Sequence, residues 1–499
     1  MYNNVYFYRE KQRTTMLKEL HPRAVWTHFE ALNAVPRGSK KEQRVIQFML
    51  DFGHGLGLTT AKDAVGNVII RKPATPGMEE RQPVVLQSHL DMVHQKNNDT
   101  EFDFDNEGIK MFVDGDWVRA DGTTLGADNG IGVAAIMGVL AATDIAHPPL
   151  EALFTIDEET GMTGAKGLQG GLLSGSILLN LDTEEDTEID IGCAGGVDIT
   201  ARLAYEPVTP SALMCYYLLE VKGLQGGHSG MEIHKGLGNA NKILTRLLYR
   251  LTLAGARLSS IDGGGLRNAI PREASALLAF EDPDEQVVFS VFDQEVAVVK
   301  AEFATVDGGL QISLLKVAAA PVTLLPLAVQ EKLLKALYAA PNGVFRMSAD
   351  FVGLVETSNN MARVAVKDGD IVVKCLTRSS VESSKWDLAT ALQSCFELMG
   401  ASVSFSGDYP GWTPNPQSKI LDVLKSTYAS LFADEPEVVA CHAGLECGIL
   451  GTNYPGMDMI SFGPTILGAH SPQERVSISS VQKFWKFLLQ ILRQIPVTT

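Results

Sequence analysis

The chain contains no apolar run long enough to span a membrane, no low-complexity tract and no short-period repeat. Cysteine is scarce and dispersed: six stand at positions 193, 215, 375, 395, 441 and 447, none in a Cys-x-x-Cys pair. In a chain of 499 residues that spacing argues against a disulfide framework and suits thiols in a reducing compartment. Basic residues are also short. Lys and Arg number 42 against 59 Asp and Glu, a net charge of −17. Phosphate recognition needs clustered Lys and Arg, so the chain is expected to bind neither nucleic acid nor an anionic membrane. The first fifteen residues lack the apolar core of a signal peptide, and the expected location is cytoplasmic. Residues 1–16 are poorly patterned, and Met16 offers an alternative translation start.

What is present describes a globular protein: 45% hydrophobic and 20% charged residues, in a chain too long for one ordinary core. From Pro22 to Leu56 the pattern is helical, broken at Val35-Pro36-Arg37-Gly38-Ser39. The run Val84-Val85-Leu86-Gln87-Ser88-His89-Leu90-Asp91 then reads as a strand ending in His and Asp two apart. On an extended chain, residues two apart face the same side, so His89 and Asp91 can share a site. Such a pair suits an imidazole ligand whose other ring nitrogen is held by a carboxylate. Two further apolar runs end alike, Leu150–Ile156 in Asp157-Glu158-Glu159 and Ser176–Leu181 in Asp182. In α/β sheets the C-terminal strand edge is where sites are built. Between them, Gly126-Ala127-Asp128-Asn129-Gly130 brings Asp128 to the start of an apolar helix. Taken singly, each has a plain structural role: a strand end, a helix cap, a solvated acid cluster. Gly-x-Gly here lacks the strand and Lys-Ser/Thr of a phosphate loop, and Asp103–Asp114 departs from a calcium loop at its ninth and twelfth positions.

After Ala194-Gly195-Gly196 the strand-end acids stop, and strand-like and amphipathic segments alternate to about Ser404. The expected division is an N-terminal extension (1–16), a catalytic domain in two parts (17–199 and 405–499) and an inserted domain (200–404). Polar loops around His228, Asn268 and Arg378 lie within the insertion, and a last polar loop, Gly463–Pro472, carries His470.

Together His89, Asp128, Glu159, Asp182 and His470 offer two imidazoles and three carboxylates. That set suits two divalent first-row ions, zinc first, with cobalt or manganese as alternatives. With Asp128 shared, each ion gains three protein ligands and room for a water. Glu158 is then placed to take the water's proton and return it to a leaving amine.

The motifs Ser88-His89-Leu90-Asp91, Gly126–Gly130, Asp157–Gly161, Leu181-Asp182, Gly227-His228-Ser229-Gly230 and Ala469-His470 resemble the M20 family of dinuclear zinc peptidases. Asn268–Ala274, Tyr409-Pro410-Gly411-Trp412 and His442–Gly448 are similar to its aminoacyl-histidine dipeptidase branch, and the resemblance runs from about Leu17 onward. It implies a two-domain α/β protein, a catalytic α/β sheet domain with an inserted α+β lid. It further implies that His89 and Asp182 hold one zinc, Glu159 and His470 the other, with Asp128 bridging and a cis peptide after it. Asp91 orients His89, Glu158 is the general base, and His228, Asn268 and Arg378 bind substrate; His442 and Glu446 are near-site candidates. The implied reaction is hydrolysis of dipeptides, Xaa-His among them, by a homodimer formed through the lid. The alternative on the same metals is an amidohydrolase deacylating N-acyl amino acids.

Overall fold

The computed structural model describes residues 17–97, 99–281, 284–318 and 323–498; the expectations for residues 1–16 lie outside these. The fold is mixed α/β, and the chain divides into two compact units. One takes in the chain as far as Gly192, then Pro414–Ala440 and the chain from Glu446; the other comprises Cys193–Thr413 with Cys441–Leu445.

The first unit is built on an eight-stranded sheet. Its order is Thr59–Lys62, Val68–Lys72, Leu150–Thr155, Val84–His89, Ile177–Asn180, Asp458–Ser461, Glu188–Cys193, Glu437–Cys441. Val84–His89 runs parallel to both of its neighbours, and Asp458–Ser461 parallel to Ile177–Asn180. Strands covered on both faces read as continuous apolar runs, and every residue of Val84–His89 and Leu150–Thr155 is buried. Because these strands are parallel, His89, the acids after Thr155 and Asp182 leave the sheet at one edge.

Helix Ala127–Ala141 is apolar all round, and every residue from Asn129 to Leu140 is buried. It packs on Val84–His89 and on helix Arg23–Asn33, which buries Val25, Trp26, Phe29 and Leu32 at helical spacing. A side chain at Gly132 would stand 2.5 Å from both the Leu181 carbonyl and Ser88 Oγ, so glycine lets the helix start close against the strand ends. The last helix, Ile478–Gln494, is amphipathic and buries Ile478, Val481, Phe484, Leu488, Ile491 and Leu492. Among the described residues no helix is long and apolar enough to cross a membrane.

The second unit carries a nine-stranded sheet in the order Gln311–Val317, Met214–Lys222, Ala274–Glu281, Arg257–Gly264, Val355–Lys367, Asp370–Ser379, Gly195–Ala204, Ser402–Tyr409. The ninth strand, Gly343–Met347, pairs with Val355–Lys367, and the recorded pairs are antiparallel. Alternate residues enter one core, for example Val197, Ile199 and Ala201, or Ile371, Val373 and Cys375. Helices Ala240–Leu253, Leu327–Ala339 and Glu382–Leu398 add Leu244, Leu247, Leu333, Leu337, Leu388 and Leu392 to it. An antiparallel sheet with helices on one face is an α+β arrangement.

Candidate dinuclear metal centre

His89 closes its strand fully buried, with Nδ1 3.2 Å from the Asp91 carbonyl and 3.5 Å from Asp91 Oδ1. Its Nε2 lies 3.1 Å from Asp128 Oδ1 and 3.5 Å from Asp182 Oδ1. The other oxygen of Asp128, Oδ2, is 3.1 Å from His470 Nε2, and that nitrogen is 2.9 Å from Glu159 Oε2. Asp128 thus serves two triads, one with His89 and Asp182, the other with Glu159 and His470. The Asp128-Asn129 peptide is cis.

Two observations fit this set to divalent ions. Asp182 Oδ1 and Glu159 Oε1 are buried without a hydrogen-bond partner among the described residues, which a structure tolerates poorly unless something else pairs them. The spacings come close: tetrahedral bonds of about 2.0–2.2 Å to nitrogen and oxygen set ligand atoms about 3.3–3.6 Å apart, and the four separations here, 2.9, 3.1, 3.1 and 3.5 Å, lie within that range or a few tenths below it. The donors, imidazole and carboxylate, are those of zinc and its first-row neighbours.

Asp91 stands on the Nδ1 side of the His89 ring and does more than hold it. Its Oδ1 accepts the Glu158 N–H at 3.0 Å, and its Oδ2 accepts the Glu159 N–H at 3.2 Å and Ser39 Oγ–H at 2.8 Å. One carboxylate therefore orients a candidate ligand and fixes the backbone of the Glu158-Glu159 pair. Burial alone would raise its pKa; the His89 ring and the Glu158 amide hold it below the usual carboxylate range.

The charges within the cluster perturb one another strongly. Burial would raise Asp128, but His470 and His89 drive it well down. Burial lifts Asp182 to about 6 against the pull of His89. Burial also raises Glu158 well above the carboxylate range, opposed by His89 and reinforced by Asp182 and Glu446. His470 is pushed up to about 11 by Asp128 and Glu159, and His89 is raised because nearby acids, Asp182 first, outweigh its burial. An imidazole must be neutral to ligate, so a raised pKa means a proton to be displaced. Zinc binding to the metal-free protein at pH 7 is therefore expected to release protons, with affinity falling as pH falls. Calorimetry in buffers of differing ionisation enthalpy measures that release; none would contradict the assignment of the two histidines.

Residues that sequence reasoning passed over, or held only as near-site candidates, surround the cluster. Glu446, held only as a near-site candidate, is fully buried; its Oε2 accepts from Thr155 Oγ1 at 2.6 Å and Gln87 Nε2 at 2.7 Å. Burial, against the opposing charge of His89, raises it to about 7. Arg37, read only as part of a helix break, is a buried guanidinium bonded to backbone carbonyls around the site. Glu474 had no signal beyond its place four residues after His470.

The second unit gathers the other candidates. His228 Nδ1 accepts the Gly230 and Met231 N–H groups at 3.2 and 3.0 Å, which leaves the proton of the neutral ring on Nε2. Burial, then Arg378, lowers its pKa. Arg378 is 5% exposed, donates to Tyr409 Oη at 2.9 Å, and keeps a buried Nε without a partner among the described residues. The Asn268 carbonyl accepts the Ser229 N–H at 2.8 Å while its side chain stands exposed, close to His228 in the chain's path. His442 sits 2.8 Å from Ser358 Oγ and is lowered to about 3 by burial and by Arg378. His94, His147 and His234 join none of the candidate ligand groups found among the described residues.

Residues 85–494 match the model of peptidase family M20/M25/M40. The chain is 44% identical over 481 residues to the cytosol non-specific dipeptidase of Escherichia coli, covering 96% of this chain and 99% of that protein. It is also similar to the crystal structure of aminoacylhistidine dipeptidase from Vibrio alginolyticus, with a TM-score of 0.93, 42% identity and coverage of 98% and 100%. A tripeptidase from Staphylococcus aureus shares the fold at a TM-score of 0.56 and 16% identity, over 95% of this chain and 99% of that one.

Proposed function

The chain belongs to peptidase family M20/M25/M40, and from that premise we propose that it is a dinuclear metallo-dipeptidase whose Asp128 carboxylate is shared between two divalent ions. The observation that carries the reading is the pair of 3.1 Å approaches to Asp128, one from each imidazole, each closing a triad with a different acid. His89 and Asp182 would hold one ion, Glu159 and His470 the other. Zinc is the proposed ion, with cobalt or manganese as functional substitutes. Ions held in this way act as Lewis acids on a scissile carbonyl and make water a nucleophile at neutral pH.

The chain's own residues supply the rest. Glu158 accepts the proton of the attacking water and delivers it to the leaving amine. Burial raises its pKa, which favours holding the proton between its removal from water and its delivery to the amine. Asp91, bonded to the Glu158 and Glu159 amides and facing His89, keeps base and ligands in register. In the inserted domain, the His228 Nε2–H, the unpartnered Nε–H of Arg378 and the Asn268 amide bind substrate oxygens. Loss of one such donor costs on the order of 2.7–4 kcal/mol where it serves a transition-state oxyanion.

The substrates are dipeptides, including those with C-terminal His; the printed names of the Escherichia coli and Vibrio relatives support that choice. The same Escherichia coli name supports a cytoplasmic location, and the family resemblance implies a homodimer through the inserted domain. A hydrolysis panel on the purified, zinc-loaded protein tests the substrate class. Xaa-His and other dipeptides are expected to turn over, tripeptides and N-acetyl amino acids poorly. Preferred hydrolysis of N-acetyl amino acids would replace the dipeptidase by an amidohydrolase on the same metals.

A further inference from the structure

We propose that Glu474, which is not among the metal ligands, positions the Asp128 and His470 loops relative to one another and so sets the affinity of the ion between them. The inference rests on the dinuclear reading above. Glu474 is 3% exposed, and its carboxylate accepts four consecutive backbone N–H groups. Oε2 takes Leu125 and Gly126 at 2.7 and 3.0 Å; Oε1 takes Ala127 and Asp128 at 2.7 and 3.2 Å. These are amides that open helix Ala127–Ala141, and no side chain of their own segment caps them. Without Glu474 they would be orphan donors in a buried place.

The local backbone is shaped for this contact. Gly126 has φ +71°, a left-handed conformation that turns successive amides toward one point. A Cβ there would also stand 2.5 Å from Arg37 Nη2, so a side chain at this position would have to displace the guanidinium that bonds the loop. Arg37 holds the opposite side of the same segment. Its Nη2 donates to the Gly126 carbonyl at 2.5 Å, and its Nη1 to the Leu90 and Asp91 carbonyls at 3.0 and 3.1 Å. The loop that aims Asp128 is thus held by an acid on its amides and a base on its carbonyls.

Glu474 differs from Arg37 in what it is tied to. Between His470 and Glu474 the chain closes a tight turn, with the Glu474 N–H on the Ser471 carbonyl at 3.0 Å and Ser471 Oγ on the Gly468 carbonyl at 2.7 Å. The His470 side chain is 54% exposed, so packing does little to hold it. Its anchor is the Glu474 carboxylate, fastened to the backbone of the residue that shares its metal. Arg37 instead joins that segment to the backbone beside His89. Each ligand pair therefore has its own tether.

The test is a zinc titration of chelator-stripped protein against a chromophoric competitor, on wild type, Glu474→Gln and Glu474→Asp. The carboxamide would turn an NH2 group toward amide donors, and the shorter carboxylate cannot reach all four. The expected result is two equivalents per chain for wild type, with one of them weakened about 10–100-fold in each variant and the other unchanged. Excess zinc should return turnover to the variants, a rescue that a purely structural defect would not show. Wild-type affinity for both equivalents in both variants, or equal weakening of the two, overturns the proposal while leaving the dinuclear reading intact. Fewer than two equivalents on wild type removes that reading, and the role of Glu474 falls with it.

Discussion

Glu158→Gln is expected to lower kcat by about 10²–10⁴-fold, the usual contribution of a positioned general base, with fold and metal content unchanged. The substitution keeps size and hydrogen-bonding capacity but removes the group that can take a proton. Asp91 holds the residue through its backbone N–H, which the glutamine retains, so the loop should not move. The ligands proposed for the two ions do not include Glu158, although its carboxylate lies within reach of His89 and Glu159. A measured kcat near wild type would assign the base elsewhere; loss of metal together with activity would show Glu158 to be a ligand instead.

Exhaustive chelation is expected to take activity to background, and zinc, cobalt or manganese to restore it. With the ions gone, Asp182 Oδ1 and Glu159 Oε1 are left buried without a hydrogen-bond partner among the described residues. Glu158 alone then has nothing to polarise the carbonyl it serves. Stripped protein should remain folded, because the sheet and helix cores of the first unit are formed by apolar contacts and not by the ligands. Full activity in protein shown by elemental analysis to be metal-free would end the metallopeptidase account.

Much of the candidate site was legible because parallel strands write it plainly. An apolar run buried on both faces, ending in His or acid, marks a sheet edge, and three such runs delivered His89, Glu158-Glu159 and Asp182. Asp128 was legible from the glycines around it. His470 was harder: it stands in an irregular loop with no strand end or helix start to mark it, and the signals were the polar loop Gly463–Pro472 and the Ala469-His470 motif. Arg37 and Glu474 were not legible at all. Both act through backbone amides and carbonyls, which every residue type carries, and Glu474 does so across 346 to 349 positions of sequence. A side chain that recognises backbone leaves no pattern in its partner.

The fold divides in the same way. Helices Arg23–Asn33 and Gln43–Gly55 and the central strands follow from local periodicity. The sheet order does not. Asp458–Ser461 returns from near the C-terminus to lie between Ile177–Asn180 and Glu188–Cys193, a pairing that no local pattern announces. In the second unit, alternation shows strands but not that Gly195–Ala204 sits between Asp370–Ser379 and Ser402–Tyr409.

The most direct test of the central claim is an anomalous difference map from crystals of the zinc-loaded protein, collected at energies on either side of the zinc edge. Two peaks about 3.5–4 Å apart are expected, one on each oxygen of Asp128, the first beside His89 and Asp182, the second beside Glu159 and His470. A single peak, or a pair that leaves Asp128 on one ion alone, would contradict the shared-carboxylate centre on which the proposed chemistry rests.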